Sequence, residues 1–330
     1  MKVKGILSII MLFVLTLTVL TGCTNDSGAS SSSAEGNSTG SNGDSVIAII
    51  VPAADHGWLA GVAYFAEQKC AELGLSKDNY RLLTSNNVNE QTNQIEEMIN
   101  LKVTAVVLQP HNDEVSVSAQ KIIDANIPLV VFDRKVDVDY TAFVAGDNSA
   151  MGAESAKYIG KELNGKGTIA IYNVPSSGSV SVERVNAFKE VMGKDYPDIK
   201  LVDLTAADFT QQEGLNVGAD ALTANPSLDA IFSIDDESSI GLLGAIKEAK
   251  RTDIKYLSGG GGANDYYEII SSETQPECFT ATYSPKMIQD AVQTAVDIID
   301  GKSVGKEIVV PPSIVTKENA SNFLDEKSPY

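Results

Sequence analysis

From residue 46 onward, short apolar runs alternate with stretches of helical periodicity, and the whole alternation occurs twice. Residues 46–51, 80–83, 105–108, 129–132 and 142–145 read as strands. After the first of them Val62, Phe65, Ala66, Lys69, Cys70 and Leu73 recur at helical spacing, and helical patterns follow at 90–101 and 115–125. A second series after Asp147 has strands at 168–172, 200–204, 230–234 and 255–257, with helices near 151–163, 182–193, 211–224 and 238–249. Strands separated by helices of this length build βαβ units around a parallel sheet. The chain is therefore predicted to be α/β, with two similar Rossmann-like lobes, each around a parallel sheet. Residues 280–282 are expected to cross back to the first lobe ahead of a helix at 285–299, and a crossing near 308–310 makes three strands at the hinge. The expected lobes are 46–146 plus about 284–309, and 147–283 plus about 310–330.

The first residues read as an address. Lys2 and Lys4 form a basic n-region, and residues 6–20 form an apolar stretch too short and too early for an ordinary membrane-spanning helix. It ends in Leu20-Thr21-Gly22-Cys23, which resembles the lipobox of bacterial lipoproteins. That resemblance implies a signal peptide over 1–22, cleavage before Cys23 and a lipid on its thiol; the alternative is a plain signal peptide cleaved nearby. Residues 24–45 are Ser, Gly, Asn and Asp with almost nothing apolar, so 23–45 is expected to be a lipidated Cys and a flexible tether. Cys70 and Cys278 lie far apart in apolar contexts and are expected to be buried free thiols rather than a disulfide or a metal site. The formal net charge is −19, and −21 once Lys2 and Lys4 leave with the leader. So acidic a surface repels phosphate backbones, which argues against nucleic acid and for a neutral ligand.

Val130-Val131-Phe132-Asp133-Arg134 carries a buried-strand pattern straight into a carboxylate and a guanidinium. In an open α/β sheet the carboxyl ends of the strands line the ligand crevice. A carboxylate accepts hydroxyl protons and an Arg donates a planar fork, a pairing suited to adjacent hydroxyls on a small polyol. On the strand alone an Asp capping the next helix beside a surface Arg is an equal reading. Trp58 is the only Trp in the chain and falls in the turn that opens the first helix. An indole presents a broad apolar face with one polar edge, which suits a sugar ring. His56 and His111 are the only histidines, and two without a third ligand at motif spacing make no metal site.

The body from Val46 to about Thr316 resembles the periplasmic sugar-binding proteins of the ribose, galactose and galactofuranose type, which feed ABC importers. The resemblance lies in residues 105–110 (AVVLQP), 127–134 (IPLVVFDR) and 146–148 (GDN), and again in 183–188 (ERVNAF), 207–209 (ADF) and 231–237 (IFSIDDE). It implies the type 1 periplasmic binding fold, two lobes that close on a monosaccharide or related polyol, and delivery to an ABC permease. It also implies ligand contacts from His56, Trp58, Gln109, Asp133, Arg134, Arg184, Phe209, Asp235 and Gly260. Within that set Trp58 and Phe209 would stack on opposite ring faces, Gln109 would bond a hydroxyl, and Arg184 would reach in from the second lobe. Asp236 is expected to cap the next helix. Leu59 stands where ribose proteins often place a second aromatic residue, and Tyr283 or Ser284 stands near a position that is often Gln or Asn. Gly260 occupies a position that is Asp in many relatives. The run Gly259-Gly260-Gly261-Gly262 is expected to leave room and bare N–H groups, for a bulkier ligand or even an anion.

Other classes fare worse. A nucleotide-binding enzyme would need Lys-Ser or Lys-Thr after the glycine run, and none follows Gly262. No catalytic triad order stands out, so neither an enzyme nor a bound cofactor is expected. A transcription regulator of this fold would need a basic helix-turn-helix ahead of Val46, where the chain has the leader and tether. The expected protein is a monomeric, extracytoplasmic lipoprotein held at the cell membrane by its lipid. Its alternative is a sugar-sensing lipoprotein of the same fold, serving chemotaxis or autoinducer-sugar reception.

Overall fold

The computed structural model describes residues 45–325 and 327–330; the leader, Cys23 and most of the expected tether lie outside them. The first half runs β1 (Ile47–Pro52), α1 (Gly57–Glu72), β2 (Tyr80–Ser85), α2 (Val88–Asn100), β3 (Ala105–Leu108), α3 (Ser116–Asp124), β4 (Leu129–Phe132) and β5 (Ala142–Gly146). The second runs α4 (Asn148–Glu162), β6 (Gly167–Asn173), α5 (Ser179–Asp195), β7 (Ile199–Thr205), α6 (Gln211–Ala224), β8 (Ala230–Ser233), α7 (Asp236–Glu248), β9 (Tyr256–Gly261), α8 (Asn264–Ser272) and β10 (Glu277–Thr282). It closes with α9 (Ile288–Ile299), β11 (Glu307–Val310) and β12 (Ile314–Val315).

Two six-stranded sheets result, ordered β11-β5-β4-β3-β1-β2 and β12-β10-β9-β8-β6-β7. Pairing is parallel throughout except where β12 runs antiparallel to β10. Each sheet thus has the same doubly wound order, with its switch point between its first and third strands, where the carboxyl ends open a crevice. The inner strands are buried on both faces, whereas the edge strands β2, β7 and β11 are partly exposed. Along β1, Ile47, Ile49 and Val51 enter one apolar cluster while Ala48 and Ile50 enter another on the opposite face. A third cluster covers the outer face of the second sheet, where Phe188 of α5 stacks on Phe232 of β8 with ring centroids 3.9 Å apart.

The chain passes between the sheets three times. The first passage follows Gly146, where Asp147 caps α4 by accepting the Ala150 N–H at 2.7 Å while its own N–H bonds Val310 O at 2.9 Å. The second follows Thr282 and the third lies between β11 and β12. These last two are tied together by Thr282 N–H to Ser313 O at 3.0 Å and Ser313 N–H to Thr282 Oγ1 at 2.8 Å.

The expected crossing at 280–282 falls slightly later, because Thr280 to Thr282 still pair with Gly259 to Gly261 of β9. The sequence reading also passed over α8. It is only nine residues long and follows the glycine run directly, yet Tyr266, Tyr267 and Ile270 share its buried face. Phe232 is 1% exposed. Phe232→Ala is expected to lower unfolding free energy by about 3–5 kcal/mol, as urea denaturation measures it, because it leaves a cavity against Phe188.

Candidate functional site

The side chains at the carboxyl ends of both sheets converge. From the first sheet, His56 and Trp58 follow β1, Gln109 follows β3, and Asp133 and Arg134 follow β4. From the second, Arg184 comes from α5, Phe209 follows β7, Asp235 follows β8, and Gly260 lies within β9. Eight of the nine expected contacts wall one cavity of about 370 Å³, joined there by Val180 and Tyr283. A wider cleft of about 1130 Å³ continues outward past His56, Arg134 and Phe209. Gln109 is the exception: fully buried, it stands behind the wall and donates from Nε2 to Asp133 Oδ2 at 3.1 Å.

Asp133 is the most constrained of these residues. Its φ of 67° places a non-glycine residue in the left-handed region, tolerated by Asp more readily than by most residues and concentrated at functional sites. Its N–H still bonds Val144 O at 2.9 Å, so the strand edge fixes the turn. The carboxylate accepts from Gln109 on one oxygen and from the Tyr283 hydroxyl at 2.7 Å on the other, with Arg134 Nε 3.5 Å away. Burial and the Asp133 charge push the Tyr283 phenol well above its ordinary value, so it remains a donor. The helix-capping reading of Asp133 fails, since the carboxylate bonds side chains from two other segments.

Tyr283 lay outside the expected contact set, although it organises much of the wall. Its carbonyl accepts the Trp58 indole N–H at 2.8 Å, and the Arg184 guanidinium lies 4.4 Å from its ring centroid. Its place directly after the buried strand β10, on a passage between the sheets, was the available signal. Trp58 stacks nearly parallel on Phe132, with centroids 6.2 Å apart and planes 7° off, and so presents its indole to the cavity from a rigid backing. Arg184 is 5% exposed and held by Asn148 Oδ1 at 2.8 Å and Ile234 O at 2.7 Å. Arg134 donates to His111 O at 2.7 Å. His111 itself faces the outer cleft, with Nε2 3.0 Å from Ser85 Oγ, and burial lowers its pKa.

Three details of the second lobe differ from expectation. Asp235, not Asp236, caps α7: its carboxylate accepts the Ser238 N–H at 2.9 Å. Asp236 occupies the first helical turn and points back into the protein, accepting from Thr280 Oγ1 at 2.6 Å, Gly262 N–H at 2.6 Å and Ala263 N–H at 2.9 Å. The anion served by the N–H groups at the end of the glycine run is therefore the protein's own carboxylate. Nor does Gly260 open free room toward the sheet. A Cβ there would fall 2.2 Å from Met151 Cε and 2.5 Å from Ile234 O, so the backbone at Gly260 is already closely packed.

Across the cleft His56 lies 6.0 Å from Phe209 between ring centroids. Burial alone would lower its pKa, but the bond to Asp55 and the charges of Asp235, Asp55 and Glu237 together raise it. Burial drives the opposite change at Asp235, whose carboxyl is pushed up to about 7 despite the Ser238 bond and nearby His56. The cavity thus sets a cation-prone imidazole from one lobe against a carboxyl that readily keeps its proton on the other. Among the described residues no group of three His, Cys, Asp or Glu side chains is placed to hold a metal, and Cys70 and Cys278 are both buried free thiols.

A model of the periplasmic binding protein domain matches residues 47–303. The D-apiose import binding protein of Actinobacillus succinogenes is 28% identical over 270 residues, covering 79% of this chain and 84% of that protein. The ribose import binding protein of Bacillus subtilis is 26% identical over 236 residues, covering 71% of this chain and 75% of that protein. Among solved structures, a Bacillus halodurans ABC transporter solute binding protein with bound myo-inositol superposes with a TM-score of 0.78 at 22% identity, over 88% of this chain and 100% of that one. An ABC sugar transporter subunit from Rhodobacter sphaeroides gives 0.75 at 27% identity, over 83% and 99%.

A carboxyl whose pKa rises on folding costs stability as pH climbs from its unfolded value to its folded one, because the native state then holds a proton the unfolded chain has released. For Asp235 that window runs from about 4 to about 7. Asp235→Asn keeps a capping oxygen and removes the titration. Its stability relative to the parent is expected to increase between pH 5 and pH 8, by on the order of 2–4 kcal/mol, in denaturant titrations at the two pH values.

Proposed function

The chain belongs to the periplasmic binding protein domain family, and from that premise we propose that it is an extracytoplasmic solute-binding protein of an ABC importer, which captures a monosaccharide or related polyol and presents it to the permease. The observation that carries this reading is a cavity walled by both lobes, in which Trp58 and Phe209 supply apolar faces and Asp133, Arg134, Arg184 and Asp235 supply polar groups. Relatives named as ribose and D-apiose import binding proteins support the ligand class. A sugar ring laid on the indole would bury its C–H face, while its hydroxyls meet fixed donors and acceptors.

Binding drives closure because the contacts come from both sides. A ligand that touches His56, Trp58, Asp133 and Arg134 on one lobe and Arg184, Phe209 and Asp235 on the other binds the closed state far better than the open one. The lobes in this reading are 46–146 with about 284–309, and 147–283 with about 310–330, which follows the membership of β11 in the first sheet and of β10 and β12 in the second. The protein acts as a monomer and without chemical conversion of its ligand. Lipidation of Cys23 would hold it at the membrane; the Leu20-Thr21-Gly22-Cys23 run supports that part.

Calorimetric titration of the purified protein with D-ribose, D-allose, xylitol and myo-inositol tests the reading, with emission from Trp58 as a second readout. One-to-one binding of at least one compound is expected, and no binding across the panel would contradict it. Asp133→Ala, Arg134→Ala and Arg184→Ala should each weaken that binding by roughly 10- to 100-fold, since each leaves polar partners in the cavity wall unmatched. Cys23→Ser should move the protein from the membrane fraction to the soluble fraction in cells; unchanged membrane association would remove the lipid anchor from the account.

A further inference from the structure

Outside the ligand cavity, the two lobes touch at the start of α1. This helix lacks a cap of its own: His56 at the N-cap makes no side-chain bond to it, and its first turn carries no acidic residue. The Gly57 N–H instead donates to Oε1 of Glu237, a first-turn residue of α7 in the other lobe, at 2.6 Å. A free helix N-terminus carries orphan donors and partial positive charge, so a carboxylate is the partner it prefers. Glu237 does not line the ligand cavity; it lines a separate crevice of about 580 Å³ together with Gly57, Asn264 and Tyr330. Tyr330, 6% exposed, fills part of that crevice and packs toward Gly57 and Gly61 of α1 on one side and Gly261 of β9 on the other. The contact is also tight, since a Cβ on Gly57 would fall 2.5 Å from Glu237 Oε1.

We propose that Glu237 is an affinity-setting positioning residue: by capping α1 across the cleft it stabilises the closed arrangement in the absence of ligand, without touching the ligand. The inference rests on the solute-binding reading above for its effect on affinity, but not for its effect on closure. When the lobes part, the α1 N-terminus and the Glu237 carboxylate return to water. The bond therefore weights the closed state alone. Apparent affinity scales with the population of the binding-competent state, so loss of the bond lowers affinity for every ligand by one common factor. A residue contacting the ligand would change the factors from one ligand to the next.

Glu237→Ala and Glu237→Gln separate these possibilities. The amide keeps an acceptor oxygen for the Gly57 N–H but loses the charge, so it is expected to fall between parent and alanine. In small-angle scattering of ligand-free protein, Glu237→Ala should increase the radius of gyration, and Glu237→Gln should increase it less. For whichever of D-ribose, D-allose, xylitol and myo-inositol bind, Glu237→Ala should raise Kd by one shared factor of roughly three to ten, modest because the bond is only partly buried. An unchanged ligand-free radius of gyration would overturn the proposal, as would Kd factors that differ among ligands or stay at unity. If none of the four compounds binds even the parent protein, the solute-binding reading fails, and the scattering comparison alone still decides whether Glu237 holds the lobes together.

Discussion

A buried carboxylate at the tip of β4 holds the site together. Asp133 is reached by Gln109 from behind β3, by Arg134 from its own turn and by Tyr283 from the passage between the sheets. A buried anion is tolerated only where such partners surround it. By satisfying Asp133 the protein fixes the positions of three separate segments, and Tyr283 passes that order on to Trp58 through its carbonyl and to Arg184 through its ring. The walls of the cavity are therefore set before any ligand arrives, which is the condition for selective polar recognition at low ordering cost.

The second lobe solves a similar problem with a different carboxylate. Asp236 draws in the N–H groups of Gly262 and Ala263, at the end of the glycine run, and the Thr280 hydroxyl, and so folds the end of β9 around itself. Its neighbour Asp235 is left at the cavity wall, capping α7 and facing His56 of the other lobe in charge if not in direct contact. Adjacent acidic residues in one short sequence thus do unrelated work, one supporting the backbone and one presented to the cleft.

How far this was legible in the sequence depended on which forces set each feature. Strand and helix order came through because continuous apolar runs and period-3.6 burial leave a direct mark: the run from Leu129 to Phe132 is uniformly apolar and forms β4 as expected. The family resemblance extended that reading to side chains, and it brought His56, Trp58, Asp133, Arg134, Arg184, Phe209, Asp235 and Gly260 to one cavity wall. What it missed depends on contacts between distant segments. Tyr283 and Asp133 are 150 residues apart, and no local pattern announces that bond. The cap of α7 was assigned to Asp236 rather than Asp235 for a related reason: one residue of register decides which carboxylate reaches the Ser238 N–H, and that register is set by the end of β8. Gly260 was taken for open space because the sequence does not show Met151 and the Ile234 carbonyl already filling it.

The most direct measurement is a crystal structure of the protein grown with a saturating concentration of whichever compound in the panel binds. The account predicts density for one ring in the cavity of about 370 Å³, with its apolar face toward Trp58 and hydroxyls on Arg134, Arg184 and Asp235. Ligand seated elsewhere, or contacting one lobe only, would contradict it.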